Sequence, residues 1–120
     1  DFLNELKSLY DSYKEEIRGI AISAPGRISE EGVMLTPGIL EYLEGFNLAQ
    51  ELSEVCDGIS VTVENDGKAA ALCEATIGSG KDYPNSVALI FGTGIGGGVI
   101  INKEILNFFK KVHSSSRLRI

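Results

Sequence analysis

An acidic segment follows one of the strands that the sequence predicts. Residues 59–63 alternate apolar and polar side chains, as half-buried strands do, and the tetrapeptide ENDG (residues 64–67) comes next. Residues 68–77 are rich in alanine and favour a helix. Because α/β folds bind ligands at the carboxyl ends of their strands, Asp66 could accept a hydroxyl proton there as a general base. The alternative is that Asn65 or Asp66 only caps the helix.

A glycine-rich segment spans residues 87–101, VALIFGTGIGGGVII. It predicts a buried strand, a glycine turn and a second strand. Glycine tolerates positive φ and lets the backbone approach a ligand closely, and such a turn can offer a row of N–H groups to phosphate. We therefore predict a phosphate-binding turn. The alternative is a tight hairpin whose glycines only relieve steric crowding.

The same segment matches the dinucleotide fingerprint G-x-G-x-x-G at Gly92, Gly94 and Gly97. That fingerprint requires a helix after the turn and an acidic residue about 20 positions later. Residues 99–101 are β-branched and favour a strand instead, and residues 113–117 contain no acid. The sequence therefore excludes a Rossmann site.

The remaining elements must position these two segments. Apolar residues at helical spacing predict a helix over residues 1–17, and residues 19–24 predict a strand that is buried on both faces. Pro25-Gly26 ends that strand with a turn, which either lines the ligand crevice or is an ordinary connection.

The middle of the chain reads as short elements joined by turns. The predicted elements are a hairpin with its tip at 29–32 and a return strand at 33–35, a loop with a helical turn at 39–46, a helix capped by Asn47 and ended at 57–58, a hinge or domain boundary at 78–85, and a turn at 102–103. We find no convincing partner for residues 104–111.

Composition narrows the classes of protein. The net charge of −6 and the pI of about 4.7 argue against a nucleic-acid partner. No apolar run reaches the about 18 residues of a membrane helix and no signal peptide is visible, so we expect a cytoplasmic protein without a membrane partner. We expect Cys56 and Cys73 to be reduced thiols, with no metal site, and His113 to be solvated in a tail.

The order of these motifs resembles the ROK family, which comprises bacterial sugar kinases such as glucokinase and fructokinase, and sugar-responsive repressors. The resemblance covers residues 19–106. It is carried by VEND (63–66) followed by AAAL (69–72), by the glycine segment 92–98 followed by VIIN (99–102), and by SAPG (23–26).

The resemblance implies an α/β protein with the actin-like ATPase (ribonuclease H-like) fold, two lobes and a cleft. It implies that Asp66 is the catalytic base of phosphoryl transfer from ATP to a sugar hydroxyl, with Mg²⁺ as the usual companion of ATP. Asn65, Pro25 and Gly26 match the sugar-binding positions. The positions that match the ATP phosphate loop are Gly92, Thr93, Gly94, Ile95, Gly96 and Gly97.

Departures from the family pattern indicate an incomplete fold. The opening phosphate-1 hairpin and most of the second lobe are absent, as are the family's later histidine and cysteine-rich zinc motif. Gly67-Lys68 replaces Ala-Asn, and Gly38 stands where asparagine is common. The implied domains are a partial N-terminal lobe (1–85), the opening β-hairpin of the second lobe (86–106) and a tail (107–120) whose native origin stays open.

Two kinds of protein fit the resemblance. The first is a hexose kinase, of which this chain alone would be an inactive fragment. The second is the sugar-sensing domain of a ROK-type repressor, which would not need Asp66 as a base; a degenerate product without activity is a third interpretation. Unpaired sheet edges also predict self-association into a homo-oligomer.

Overall fold

The computed structural model describes residues 1–107, which divide into two compact units. The first unit is Asp1–Asn65, and the second begins at Asp66. The tail 108–120, with His113, lies outside the described residues. No helix of the described part is both long and apolar enough to cross a bilayer.

The first unit contains two small sheets and two helices. Its elements are α1 (Phe2–Tyr13), β1 (Ile20–Ala24), β2 (Arg27–Ile28), β3 (Met34–Thr36), a 3₁₀ turn (Glu41–Leu43), α2 (Leu48–Val55) and β4 (Val61–Asn65). Strands β1 and β4 pair in parallel, and β2 and β3 form an antiparallel hairpin. These elements confirm the predicted helices, the hairpin at 29–35 and the helical turn at 39–46.

Caps and apolar spacing explain where the two helices form. Asp1 caps α1 by accepting a hydrogen bond from the backbone N–H of Leu3, and Asn47 caps α2 by accepting one from Gln50. Helix α1 ends at Tyr13, four residues earlier than predicted. Two clusters form the core of this unit: Ala24, Met34, Leu43, Leu48 and Val63 in one, and Tyr10, Leu52 and Cys56 in the other.

The second unit is a helix packed on an antiparallel sheet. Its elements are α3 (Asp66–Thr76), β5 (Ser86–Phe91), β6 (Ile95–Ile101) and β7 (Glu104–Ile105), with strand order β5-β6-β7. Ala71, Ala75 and Ile100 form its core. Small residues on both surfaces bring α3 close to the sheet.

Three predictions about these elements are corrected by the structure. Strand β1 is buried on one face only, because Ala21 and Ser23 are exposed. Strand β5 likewise exposes Val87, Leu89 and Phe91 at 65%, 66% and 75%. In the first unit, α1 and α2 cover only one side of the β1–β4 sheet. In the second unit, α3 covers only one side of the β5-β6-β7 sheet.

The third correction concerns the chain after the glycine hairpin. Glu104–Ile105 does have a partner, since β7 pairs with the end of β6. The connection is the predicted turn, in which Asn102 and Lys103 have φ of 51° and 67°. Positive φ at both central residues defines a type I′ turn, which fits the twist of a two-residue hairpin.

The predicted lobe boundary near residue 85 concerns the whole family fold and stays a prediction. Within the described chain, α3 belongs with β5 to β7 and not with the strands that precede it.

Candidate functional site

The first unit brings Pro25, Gly26 and Asn65 together at the carboxyl end of the parallel strands β1 and β4. In the β1–β4 register Ala24 lies opposite Asn65, so the residues that follow β1 emerge beside the end of β4. The side-chain amide Nδ2 of Asn65 donates a hydrogen bond of 2.7 Å to the carbonyl oxygen of Gly26. Its backbone N–H donates to Glu64 Oε1 at 2.8 Å. These bonds fix Asn65 against the Pro25-Gly26 turn.

Gly26 cannot be replaced without moving the backbone. Its φ is 85°, and a Cβ at this position would lie 1.7 Å from the carbonyl oxygen of Thr36. The next residue, Arg27, donates its backbone N–H to Thr36 Oγ1 at 3.1 Å. The turn is therefore held between β4 and the β2–β3 hairpin, which gives its backbone a single position.

In the second unit, Asp66 is the first residue of α3. Its side chain is exposed, and Oδ1 accepts a hydrogen bond of 2.8 Å from the backbone N–H of Gly67. A carboxylate in the first helical turn is favoured by the helix dipole. The helix begins at Asp66, and the second oxygen of Asp66 is on an exposed side chain where a hydroxyl can reach it.

The glycine segment forms a hairpin with a shorter turn than predicted. Strand β6 already begins at Ile95, and the backbone N–H of Gly92 donates to the carbonyl oxygen of Gly94 at 2.9 Å. Positive φ occurs in none of the glycines 92–98. Left-handed backbone therefore does not explain the glycines of this segment.

Two of these glycines are required by packing. A Cβ at Gly97 would lie 2.2 Å from the carbonyl oxygen of Ala88, and a Cβ at Gly98 would lie 2.8 Å from Ala71 Cβ and 3.2 Å from Lys68 Cα. A side chain at either position would separate β6 from β5 or from α3. Gly97 and Gly98 therefore fit the alternative interpretation, in which the glycines relieve steric crowding.

The other glycines lack an internal steric reason. A Cβ at Gly92 or Gly94 would meet no atom within 4 Å, and a Cβ at Gly96 would come only to 3.9 Å from Gly67 Cα. Neither φ nor packing within the described chain explains glycine at the hairpin tip. An external group that approaches the backbone would explain it.

Sequence reasoning missed two lysines of the second unit. Lys68 Nζ donates to Asn107 Oδ1 at 2.7 Å. Lys103 Nζ donates to the carbonyl oxygens of Ala75 and Gly80, at 3.0 and 3.2 Å, and also to that of Lys81. The ammonium of Lys103 thus binds the carboxyl end of α3 and the loop after it, where a positive charge is favoured. The only signal for this role in the sequence was that Lys103 lies in the predicted turn at residues 102–103.

Both cysteines are free thiols in the structure. Cys56 is fully buried in the first unit and Cys73 is exposed in the second. Burial raises the pKa of the Cys56 thiol, with Asp11 and Asp57 adding to the rise and Lys7 opposing it.

Comparison with known proteins assigns this fold and these motifs to one class. The sequence model of the ROK family matches residues 1–107, and the chain belongs to the ROK family. Its structure is an α/β part of the actin-like ATPase fold seen in solved ROK sugar kinases. The predicted family and fold class are thereby confirmed.

Individual relatives include both enzymes and a regulator. The chain is 38% identical over 92 residues to a β-glucoside kinase of Listeria monocytogenes, covering 76% of this chain and 31% of that protein. It superposes on the ROK hexokinase of Thermus thermophilus with a TM-score of 0.70 at 30% identity, covering 87% of this chain and 36% of that one. It also superposes on a ROK family transcriptional regulator, a homologue of the Escherichia coli MLC protein, with a TM-score of 0.76 at 29% identity, covering 89% and 28%. The chain therefore spans about a third of the length of the relatives it matches.

Proposed function

We propose that the protein to which this segment belongs is an ATP-dependent sugar kinase of the ROK type that phosphorylates a hexose hydroxyl. The observation that carries this proposal is the 2.7 Å hydrogen bond from Asn65 to Gly26, which joins the two segments that resemble the family's sugar-binding positions. Similarity to a β-glucoside kinase and to a hexokinase supports the same reaction.

Asp66 acts as the base in this proposal. It directly follows Asn65, it is exposed, and one oxygen is already satisfied by Gly67. The other oxygen accepts the proton of the attacking sugar hydroxyl, which makes the hydroxyl a better nucleophile towards the γ-phosphate. Phosphoryl transfer depends mainly on positioning and charge neutralisation, and the Asn65 amide, held by its hydrogen bond to Gly26, would contribute to positioning the sugar.

The tip of the glycine hairpin binds the phosphates of ATP in this proposal. Gly92, Thr93 and Gly94 form that tip, and the open space around the two glycines admits a phosphate to the backbone. Ile95, Gly96 and Gly97 continue the hairpin into β6; of the three, Gly96 adds open backbone, while Gly97 is explained by packing. Mg²⁺ would accompany the nucleotide phosphates in this proposal.

The proposal is tested by an ADP-release assay on the full-length protein with glucose, fructose, mannose and N-acetylmannosamine. We expect ADP release that depends on one of these sugars. The 120-residue chain assayed alone should release none, and turnover at ordinary kinase rates would overturn the claim that it is inactive by itself. A cytoplasmic location would follow from a role in sugar metabolism.

The sugar-sensing domain of a repressor is the second candidate, and the similarity to a ROK family transcriptional regulator favours it. A sensor needs the Asn65 and Gly26 contacts but not a base. Full-length protein that binds a sugar, releases no ADP and binds DNA would establish this alternative.

Self-association into a homo-oligomer is also proposed. Strand β5 is at the edge of its sheet and exposes three large apolar side chains, Val87, Leu89 and Phe91. Sedimentation velocity at several concentrations tests this, and a single monomeric boundary throughout would contradict it.

A further inference from the structure

The amino end of helix α3 lies directly on the glycine part of β6. A Cβ built at Gly98 would lie 3.2 Å from Lys68 Cα, and one built at Gly96 would lie 3.9 Å from Gly67 Cα. All four residues belong to the second unit. The first turn of α3 therefore packs on the strand that continues from the proposed phosphate-binding tip.

Lys68 is in this first turn, and its side chain reaches from the helix to the chain beside β6. It is half-buried, and Nζ donates a hydrogen bond of 2.7 Å to Oδ1 of Asn107, the second residue after β7. The chain before Asn107 follows β6, since the Leu106 N–H donates to the carbonyl oxygen of Val99 at 2.8 Å. The ammonium of Lys68 thus lies close to the glycine strand.

The other lysines of the second unit lie at the opposite end of α3. Residues 66–107 contain three lysines and no arginine or histidine. Lys103 binds carbonyl oxygens at the carboxyl end of the helix, and Lys81 is in the loop that follows it. The 11 residues of α3 span about 16 Å. Among residues 66–107, Lys68 is therefore the only cationic side chain at the amino end of α3.

A phosphate at the glycine tip requires more positive charge than backbone N–H groups supply. The Mg²⁺ complex of ATP still has a net negative charge, and Asp66, the proposed base, adds another two residues before Lys68. Phosphoryl transfer depends on neutralising this charge. We propose that the Lys68 ammonium binds the terminal phosphate of ATP and thereby favours ATP over ADP. This inference rests on the proposed function and adds to it an ATP-binding residue outside the glycine hairpin.

The chemistry of Lys68 and its place beside Asp66 favour the terminal phosphate. Lysine carries its ammonium on a flexible four-carbon stem, and a phosphate oxygen is a stronger acceptor than the neutral amide oxygen of Asn107. The terminal phosphate is the group that the sugar hydroxyl attacks. Asp66, which accepts the proton of that hydroxyl in the proposed function, is in the same helical turn as Lys68. The inner phosphates take no part in that attack, so we assign the ammonium to the terminal one.

The test compares two dissociation constants, one for the non-hydrolysable ATP analogue AMPPNP and one for ADP, by titration calorimetry on the full-length protein with Mg²⁺. Lys68→Met keeps the apolar stem but not the charge. It should weaken AMPPNP binding about tenfold, which corresponds to about 1.4 kcal/mol, and ADP binding less than about twofold. Lys68→Arg keeps a cationic donor and should hold the AMPPNP dissociation constant within about threefold of the wild type.

Two control variants separate the charge of Lys68 from its structural hydrogen bond. Asn107→Ala removes the acceptor of the 2.7 Å bond but leaves the ammonium, so the preference for AMPPNP over ADP should not fall. Lys81→Met removes a cation near the other end of α3 and should leave the preference unchanged. An equal loss of preference in Asn107→Ala and Lys68→Met would show that the bond matters and not the charge, which overturns the inference.

The outcomes distinguish this inference from the proposed function. If AMPPNP and ADP both bind and Lys68→Met leaves the ratio of their dissociation constants unchanged, the assignment of Lys68 is wrong and the kinase stands. Equal weakening of both nucleotides would also overturn the assignment to the terminal phosphate. If the wild-type protein binds neither nucleotide and releases no ADP with any of the sugars, the proposed function fails and this inference fails with it.

Discussion

The side-chain amide of Asn65 donates a hydrogen bond of 2.7 Å to the carbonyl oxygen of Gly26, across 39 residues of chain. Parallel pairing of β1 with β4 makes this contact possible, because Ala24 and Asn65 are opposite each other in the register. One bond thus joins the turn after the first strand of the sheet to the residue that precedes Asp66.

Replacement of Asn65 by aspartate tests this bond. A carboxylate cannot donate to the carbonyl of Gly26, and it places a negative charge beside that oxygen. We expect a loss of about 1–2 kcal/mol in the free energy of unfolding, measured by urea denaturation. The control is Asn4→Asp, on an exposed position of α1, which should change stability by less than about 0.5 kcal/mol. Equal stability of both variants would show that the Asn65 bond does not contribute.

The glycines of the hairpin should separate into two classes on substitution. Gly97→Ala puts a methyl group 2.2 Å from the Ala88 carbonyl oxygen and should cost about 1–3 kcal/mol of stability. Gly94→Ala meets nothing and should leave stability within about 0.5 kcal/mol, yet should weaken binding of an ATP analogue. Unfolding curves and titration calorimetry on the full-length protein measure the two effects. An unaltered nucleotide affinity in Gly94→Ala would contradict a phosphate contact at this tip.

Much of this arrangement was predictable from local sequence. Asn47 before an apolar face specifies the start of α2, and the β-branched residues 99–101 correctly excluded a helix after the glycines. The exposed faces of β1 and β5 were not predictable, because Val87, Leu89 and Phe91 are as apolar as buried strand residues. Only the packing of α3 on one side of the sheet shows which face is covered.

The parts that sequence reasoning missed depend on tertiary contacts. Strand β7 has two residues, too few for any periodicity, and its pairing is set by the turn at Asn102 and Lys103. The three carbonyl partners of Lys103 come from α3 and the following loop, more than 20 residues earlier. The roles of Asp66, Asn65 and the glycine tip rest on the family motif and stay predictions until they are tested.

Replacement of Lys103 by methionine tests the ammonium at the end of α3. Methionine retains much of the apolar stem but leaves the carbonyls of Ala75, Gly80 and Lys81 without this donor. We expect a loss of about 1–2 kcal/mol in urea denaturation, because hydrogen bonds from charged donors exceed neutral ones. Lys81→Met, which leaves the Lys81 carbonyl in place, is the matched control and should be nearly neutral. A neutral Lys103→Met would show that water replaces the ammonium without cost.

The buried thiol of Cys56 should make stability depend on alkaline pH. Its pKa is raised by burial, so the folded protein holds the proton more tightly than the unfolded chain does. The contribution of this thiol to the free energy of unfolding is fully present below the pKa of the unfolded thiol, about 8.5. That contribution declines as the pH rises above this value towards the raised pKa of the folded protein. Between pH 7 and 9.5, Cys56→Ala should therefore lose less stability than the wild type.

Cys73→Ser is the control for that experiment, since its thiol is exposed. It keeps Cys56 and should therefore retain the decline of stability with rising pH. A thiol reagent should modify Cys73 quickly in the folded protein and Cys56 only after unfolding. Rapid modification of both thiols would contradict the burial of Cys56.

The most direct test of the proposed kinase is Asp66→Asn in the full-length protein. Asparagine keeps an oxygen that can accept the hydrogen bond from the Gly67 N–H, so the start of α3 should be preserved. Because the amide cannot accept a proton, kcat for sugar phosphorylation should fall by about 10²–10⁴-fold, while the sugar dissociation constant changes little. A variant that retains kcat within a few-fold of the wild type would contradict the assignment of Asp66 as the catalytic base.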